Sequence, residues 1–254
     1  MLLINKDKKS EFQALIPSIQ QYMYEWRIVF IRAPKGGTDD LSATAKVIMG
    51  LYADTKGVLF ISGDKIVMIM HDERGDLLDS IKPIVEQKMP GKRYRYIMRQ
   101  MTGTALQQIT TQFFDEGKAE DSLFKKRLAR KDNRVLVIDD DDFYRAVLKK
   151  ACEKTSTVFQ SEDGKNATQM YLEINPDIVF LDIHLPLSYG FLILEDFLNV
   201  DFDAFVIMIS SDSSSQNITK ADDMGSAGFL KKPLDPEELL QLFQSCPTFK
   251  LNPQ

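Results

Sequence analysis

In the second half of the chain, short apolar runs alternate with amphipathic stretches. Arg134-Val135-Leu136-Val137-Ile138 is β-branched and apolar through its length, the pattern of a strand buried on both faces. It ends in four consecutive acids, Asp139 to Asp142, and Phe143-Tyr144-Arg145-Ala146-Val147-Leu148 then reads as a helix. Asp177-Ile178-Val179-Phe180-Leu181 repeats the form and ends in Asp182. Phe205-Val206-Ile207-Met208-Ile209 ends in Ser210-Ser211, and Gly228-Phe229-Leu230-Lys231 ends in Lys232-Pro233.

The first half patterns differently. Phe12, Leu15, Ile16, Ile19 and Met23 recur at helical spacing, which predicts a helix from Ser10 to about Trp26, kinked or started at Pro17. Arg27 to Arg32 reads as a strand, and Ala33 to Thr38 as a loop without the Gly-Lys-Ser/Thr ending of a phosphate loop. Asp39 or Asp40 caps a helix reaching Leu51. Gly57 to Ile61 and Lys65 to Met70 are strands joined by a tight turn at Ser62-Gly63-Asp64. A helix over Leu77 to Lys88, bent near Pro83, a strand over Tyr94 to Met98 and a helix over Thr104 to Phe114 follow. After the first helix the order is β-α-β-β-α-β-α, the split βαβ order of an α+β, ferredoxin-like sandwich. Asp115 to Asp132 is dense in charge, with Leu123, Phe124 and Leu128 too sparse for a core stripe. It reads as a linker helix, or as a continuation of the helix before it. The expected organisation is an N-terminal α+β domain over 1–115, a charged helical linker over 116–132 and a C-terminal α/β domain over 133–247.

In an open parallel sheet, ligands bind outside the carboxyl ends of the strands. Here those ends collect carboxylates, a hydroxyl and an ammonium. Clustered acids need a cation, and hard carboxylate oxygens suit Mg2+. The set suits phosphoryl transfer to a carboxylate.

The ordered set resembles a CheY-like response-regulator receiver domain over about 133–246, somewhat under half the chain. Val-Ile-Asp139-Asp140 with Arg145 resembles the family's acidic pair and first helix. Leu-Asp182-Ile-His184-Leu-Pro186, followed by Gly190, resembles its phosphoacceptor strand and loop. Ser210, the aromatic Phe229 and the Lys232-Pro233 pair complete it. The resemblance implies a doubly wound, five-stranded parallel sheet in the order 2-1-3-4-5. It also implies phosphorylation on Asp182, and Mg2+ held by Asp139, Asp140, Asp182 and the backbone carbonyl of His184. Ser210 and Lys232 would meet the phosphoryl group, Phe229 would turn inward on switching, and a sensor histidine kinase or phosphotransfer protein would be the donor. Because Asp141 and Asp142 extend the acidic run and Ser211 follows Ser210, both assignments stay open by one residue.

Charge divides the chain. Through Lys131 there are 22 Lys and Arg against 16 Asp and Glu, and the remainder has 10 against 21. The acidic part fits a metal-binding domain; the basic part fits a docking surface, a homodimer contact or nucleic acid. No apolar run reaches the ~18 residues needed to span a bilayer. Met1 to Lys6 lacks the length and charge order of a signal peptide, so a cytoplasmic location with no membrane partner is expected. Cys152 and Cys246 have no metal-ligand spacing and are expected as reduced, buried thiols.

Three other motifs bear on output. Phe60 to Lys65 resembles the signature turn of diguanylate cyclases, but Lys65 stands where that family has an acid, so cyclase activity is not expected. His71-Asp72-Glu73-Arg74 has the spacing of a histidine-kinase phosphoacceptor box, but His71 directly follows a strand. Lys92-Arg93-Tyr94-Arg95-Tyr96 alternates cations with aromatics, a pattern that can stack bases. No helix-turn-helix pattern is present, so DNA binding is not expected. The expected protein is a two-component response regulator, not itself an enzyme. The alternatives are a receiver-gated, nucleotide-related enzyme or an RNA-binding protein through residues 1–115.

Overall fold

A computed structural model describes residues 2–3, 9–33, 41–62, 64–72, 77–88, 94–114 and 122–251. The chain forms two compact units, Met1–Ala119 and Glu120–Gln254. The segment 34–40, where a loop and an aspartate cap are expected, and the residues Gly63, Lys92 and Arg93 lie outside the described residues.

The first unit is built on a sheet of β1 (Leu2–Leu3), β2 (Trp26–Arg32), β3 (Gly57–Ser62), β4 (Lys65–His71) and β5 (Arg95–Gln100), in the order β1-β3-β4-β2-β5. β2 runs antiparallel to both β4 and β5, and β3 antiparallel to β4, which is the split βαβ arrangement. The short β1, absent from the hydrophobic pattern, adds parallel to β3 at the edge. α2 (Leu41–Leu51) and α3 (Leu77–Lys88) bury Leu41, Ala45, Ile48, Leu77, Ile81 and Val85 in one cluster with Val29, Ile31, Met68 and Tyr96 of the sheet.

One expectation is corrected here. Trp26 opens β2 and does not end the first helix: α1 (Lys9–Gln21) gives way to a 3-10 turn, Met23–Glu25. α1 and α3 each carry a proline inside, Pro17 and Pro83. Both prolines are exposed, and so are Gln13 and Asp79 four residues back, where a carbonyl freed of its partner can be met by water. Tyr94 and Tyr96 lie on the face opposite Arg95 in the alternation, and that face is the core: each is 5% exposed within the cluster under α2 and α3, so neither offers a ring to a base, and the RNA-binding alternative loses its stacking basis. α4 (Gly103–Ile109), capped by Thr102, continues as a π-helical turn over Thr110–Phe114, where Thr110 Oγ1 donates to the Leu106 carbonyl at 2.8 Å.

The second unit is a parallel sheet of β6 (Arg134–Ile138), β7 (Thr157–Ser161), β8 (Ile178–Asp182), β9 (Val206–Ser210) and β10 (Gly228–Lys231), in the order β10-β9-β8-β6-β7. Counted within the unit this is 2-1-3-4-5, as expected. α6 (Asp142–Cys152), α7 (Ala167–Ile174), α8 (Gly190–Val200), α9 (Ser215–Asp223) and α10 (Pro236–Ser245) follow the five strands in turn. One core layer joins Val135, Val137, Phe180 and Ile207 to Leu148, Leu239 and Phe243. Cys152 and Cys246 are both free thiols and buried.

The unit is longer than 133–247. α5 (Leu123–Ala129), in the segment expected to be a solvated linker, sends Arg127 into the interior. Its guanidinium donates to Asp201 Oδ2 at 2.7 Å, Asn175 Oδ1 at 2.9 Å and Tyr171 Oη at 3.1 Å. At the other end Phe249 stacks on Phe243, with centroids 5.0 Å apart, and Asn133 and Lys250 exchange hydrogen bonds of 2.6 and 2.9 Å. Both additions supply buried partners that the shorter segment would lack.

Candidate functional site

Parallel strands carry their carboxyl ends to one edge of the sheet, and here the edge is acidic. The four acids after β6 have separate tasks. Asp139 is fully buried, with Oδ1 accepting from the Asp141 amide at 2.9 Å. Asp140 is exposed. Asp141 is the N-cap of α6, accepting from the Phe143 amide at 2.8 Å, and Asp142 pairs with Arg145. The cap and the ion pair occupy the last two acids, so the pair directed to the site is Asp139 and Asp140. Arg145 also donates to the Asp139 carbonyl at 2.6 Å, tying α6 to the strand end.

Asp182 ends β8 and is 5% exposed. Its Oδ2 accepts from Lys232 Nζ at 3.0 Å, and Lys232 Nζ lies 2.8 Å from Asp139 Oδ2. One ammonium thus sits between two carboxylates. Lys232 follows β10, its backbone amide donating to the Ser210 carbonyl at 2.9 Å, and its bond to Pro233 is cis. Ser210 ends β9 fully buried and accepts from the Asp212 amide at 3.0 Å, whereas Ser211 is exposed. His184 is exposed; its amide donates to Asp182 Oδ1 at 3.4 Å. Phe229 is half-buried on β10. Gly190 has no alternative, since a Cβ there would stand 2.1 Å from the Asp182 carbonyl oxygen.

Burial raises the Asp139 carboxyl above the usual carboxylate range, outweighing the neighbouring Lys232. Burial by itself would lower Lys232, but its contacts with Asp139 and Asp182 outweigh that and raise it. The site therefore holds a charged lysine against one buried acid, Asp139, that is costly to ionise.

One oxygen from each of Asp139, Asp140 and Asp182 can lie within 4.8 Å of the others. Asp139 Oδ2 is buried against the Lys232 ammonium. A hard divalent cation such as Mg2+ fits this donor set of three carboxylates facing a single ammonium: oxygens only, with negative charge in excess.

Two contributors escaped the sequence reading. The Tyr144 ring, in the first turn of α6, lies 4.6 Å from Lys232 Nζ. Nothing in its spacing marks it, because a helix-start aromatic is ordinary. Arg127 escaped because its partners lie up to 76 residues away in the chain. In the first unit, His71 is the last residue of β4, where Nε2 and Glu25 Oε2 are 2.7 Å apart, a hydrogen bond that lowers the Glu25 carboxyl.

The response regulator receiver domain family matches residues 135–244. Protein CcdB of Bacillus subtilis is 33% identical over 110 residues, 42% of this chain and 92% of that protein. Chemotaxis protein CheY of Halobacterium salinarum is 30% identical over 108 residues, 42% of this chain and 90% of that protein. Among solved structures, the CheX-CheY-BeF3-Mg+2 complex from Borrelia burgdorferi aligns at 32% identity and a TM-score of 0.42, covering 44% of this chain and 87% of that one. No helix among the described residues is long and apolar enough to cross a membrane.

Proposed function

The chain belongs to the response-regulator family through its C-terminal receiver domain, and we propose that it is a two-component switch that accepts a phosphoryl group on Asp182. The observation that carries this reading is the convergence of Asp139, Asp140, Asp182 and Lys232 at one sheet edge. A sensor histidine kinase or phosphotransfer protein is the donor. An Asp182 oxygen bonds to phosphorus while the phosphorus–nitrogen bond of the donor phosphohistidine breaks, and its electron pair returns to the imidazole. Asp139, Asp140, Asp182 and the His184 carbonyl hold Mg2+, which when bound offsets the negative charge gathered there. Lys232 pairs with one phosphoryl oxygen and Ser210 Oγ donates to another. Phe229 then turns inward beside Ser210, so that phosphorylation shifts a balance between two pre-existing states.

The first unit is the output, acting in the cytoplasm by contact with a protein partner or a second copy. No catalysis and no DNA contact are assigned to it. Incubating the full chain with a small phosphodonor and Mg2+ tests the central assignment by intact-mass measurement. Wild type is labelled and Asp182→Asn is not; undiminished labelling of the variant removes Asp182 from this role.

A further inference from the structure

We propose that Tyr144 is a positioning residue for Lys232, holding its ammonium at the phosphoacceptor through the face of the ring. This rests on the role given to Asp182 above and adds a residue outside the acids, hydroxyl and lysine that define the site. Lys232 has a long, flexible stem, and its ammonium must stay at a strand end flanked by a solvated rim. Two carboxylates hold it, Asp139 Oδ2 at 2.8 Å and Asp182 Oδ2 at 3.0 Å. Each has a competing use: Asp139 is one of the three acids placed to share a cation, and an Asp182 oxygen is the attacking atom. When either carboxylate is taken, the lysine loses a partner.

Tyr144 is the partner that remains. Its ring lies 4.6 Å from the ammonium, within cation–π range, and the Lys232 side chain is only 5% exposed, so the attraction acts with little water to screen it. The ring is carried on a fixed helix turn. Asp141 caps that turn, and the Arg145 guanidinium on the Asp139 carbonyl ties it to β6. The lysine's third contact thus comes from a helix start and involves neither carboxylate.

Two measurements on the full chain test this. In the first, the ε-methylene protons of Lys232 in wild type are expected to be shifted upfield by the ring current of Tyr144, and Tyr144→Leu is expected to abolish that shift. The second compares Asp182 labelling rates and affinities for beryllofluoride with Mg2+. Tyr144→Leu is expected to lose about tenfold in both, the size of a desolvated cation–π contact, while Tyr144→Phe, which keeps the ring, retains most of each. Unshifted Lys232 methylene protons in wild type overturn the proposal. So does wild-type labelling by Tyr144→Leu, or an equal loss in Tyr144→Phe, which would assign the role to the hydroxyl. A wild-type chain that shows the ring-current shift but takes no label instead counts against the phosphoacceptor reading and leaves the Tyr144–Lys232 contact standing.

Discussion

Two ion clusters are buried in the second unit, and they are built on opposite plans. Around Arg127, 2% exposed, one cation meets one carboxylate, and the neutral groups of Tyr171, Asn175 and the Asp203 carbonyl take up the remaining geometry. Tyr171 also donates to Asp201 Oδ2 at 2.6 Å. Around Lys232, one cation faces two buried carboxylates and a third acid stands exposed beside them, so negative charge is in excess. A balanced network fixes shape. One with excess carboxylate is short of positive charge, and a divalent cation would supply it.

The sharpest way to break the comparison is to remove each cation or acid in turn. Arg127→Met leaves Asp201 buried without its charge partner, and the expected loss is about 3–5 kcal/mol of stability in urea unfolding. Arg127→Met with Asp201→Leu is expected to recover much of that, since no orphaned charge remains. If the single change costs nothing, the cluster is not a structural tie.

The opposite sign is expected at the other cluster. Asp139→Asn removes a carboxylate that burial makes costly to ionise, so the metal-free protein should gain about 1 kcal/mol. Mg2+ should raise the melting temperature of wild type and leave that of the variant nearly unchanged. A variant less stable than wild type without metal would make Asp139 a structural residue as well.

The smallest effect concerns alkaline pH. Burial and the nearby Asp201 raise the Tyr171 phenol well above its ordinary value of 10.0. The unfolded chain therefore gives up this proton near pH 10 while the folded chain keeps it. The contribution of Tyr171 is intact below about pH 10 and declines above it, by up to ~1.4 kcal/mol per pH unit. Unfolding titrations of wild type and Tyr171→Phe should diverge only above that pH. Parallel curves would mean that Tyr171 ionises alike in both states.

Legibility followed burial. β6 was readable to the residue because a strand buried on both faces is an unbroken apolar run that stops where the polar edge begins. β7 was not, because Thr157–Ser161 lies at the sheet edge with its residues exposed or half-buried and carries no such run. The Tyr94–Tyr96 strand shows the limit of alternation. Period two correctly put the tyrosines on one face, but only the placement of α2 and α3 decided that this face is the core.

Local order along the chain was enough to nominate the acids, the serine and the lysine of the candidate site, because a parallel sheet delivers every strand's carboxyl end to the same edge. It also implied the split βαβ order of the first unit. Tertiary structure alone decided which of four consecutive acids is buried and which stands beside it at the sheet edge, that an arginine in a charge-dense segment belongs to the interior, and that Tyr144 lies over Lys232. The reason is physical: strand and helix formation depend on neighbours in sequence, whereas the pairing of buried charges depends on groups brought together from far along the chain, 50 residues for Lys232 with Asp182 and more for Lys232 with Asp139.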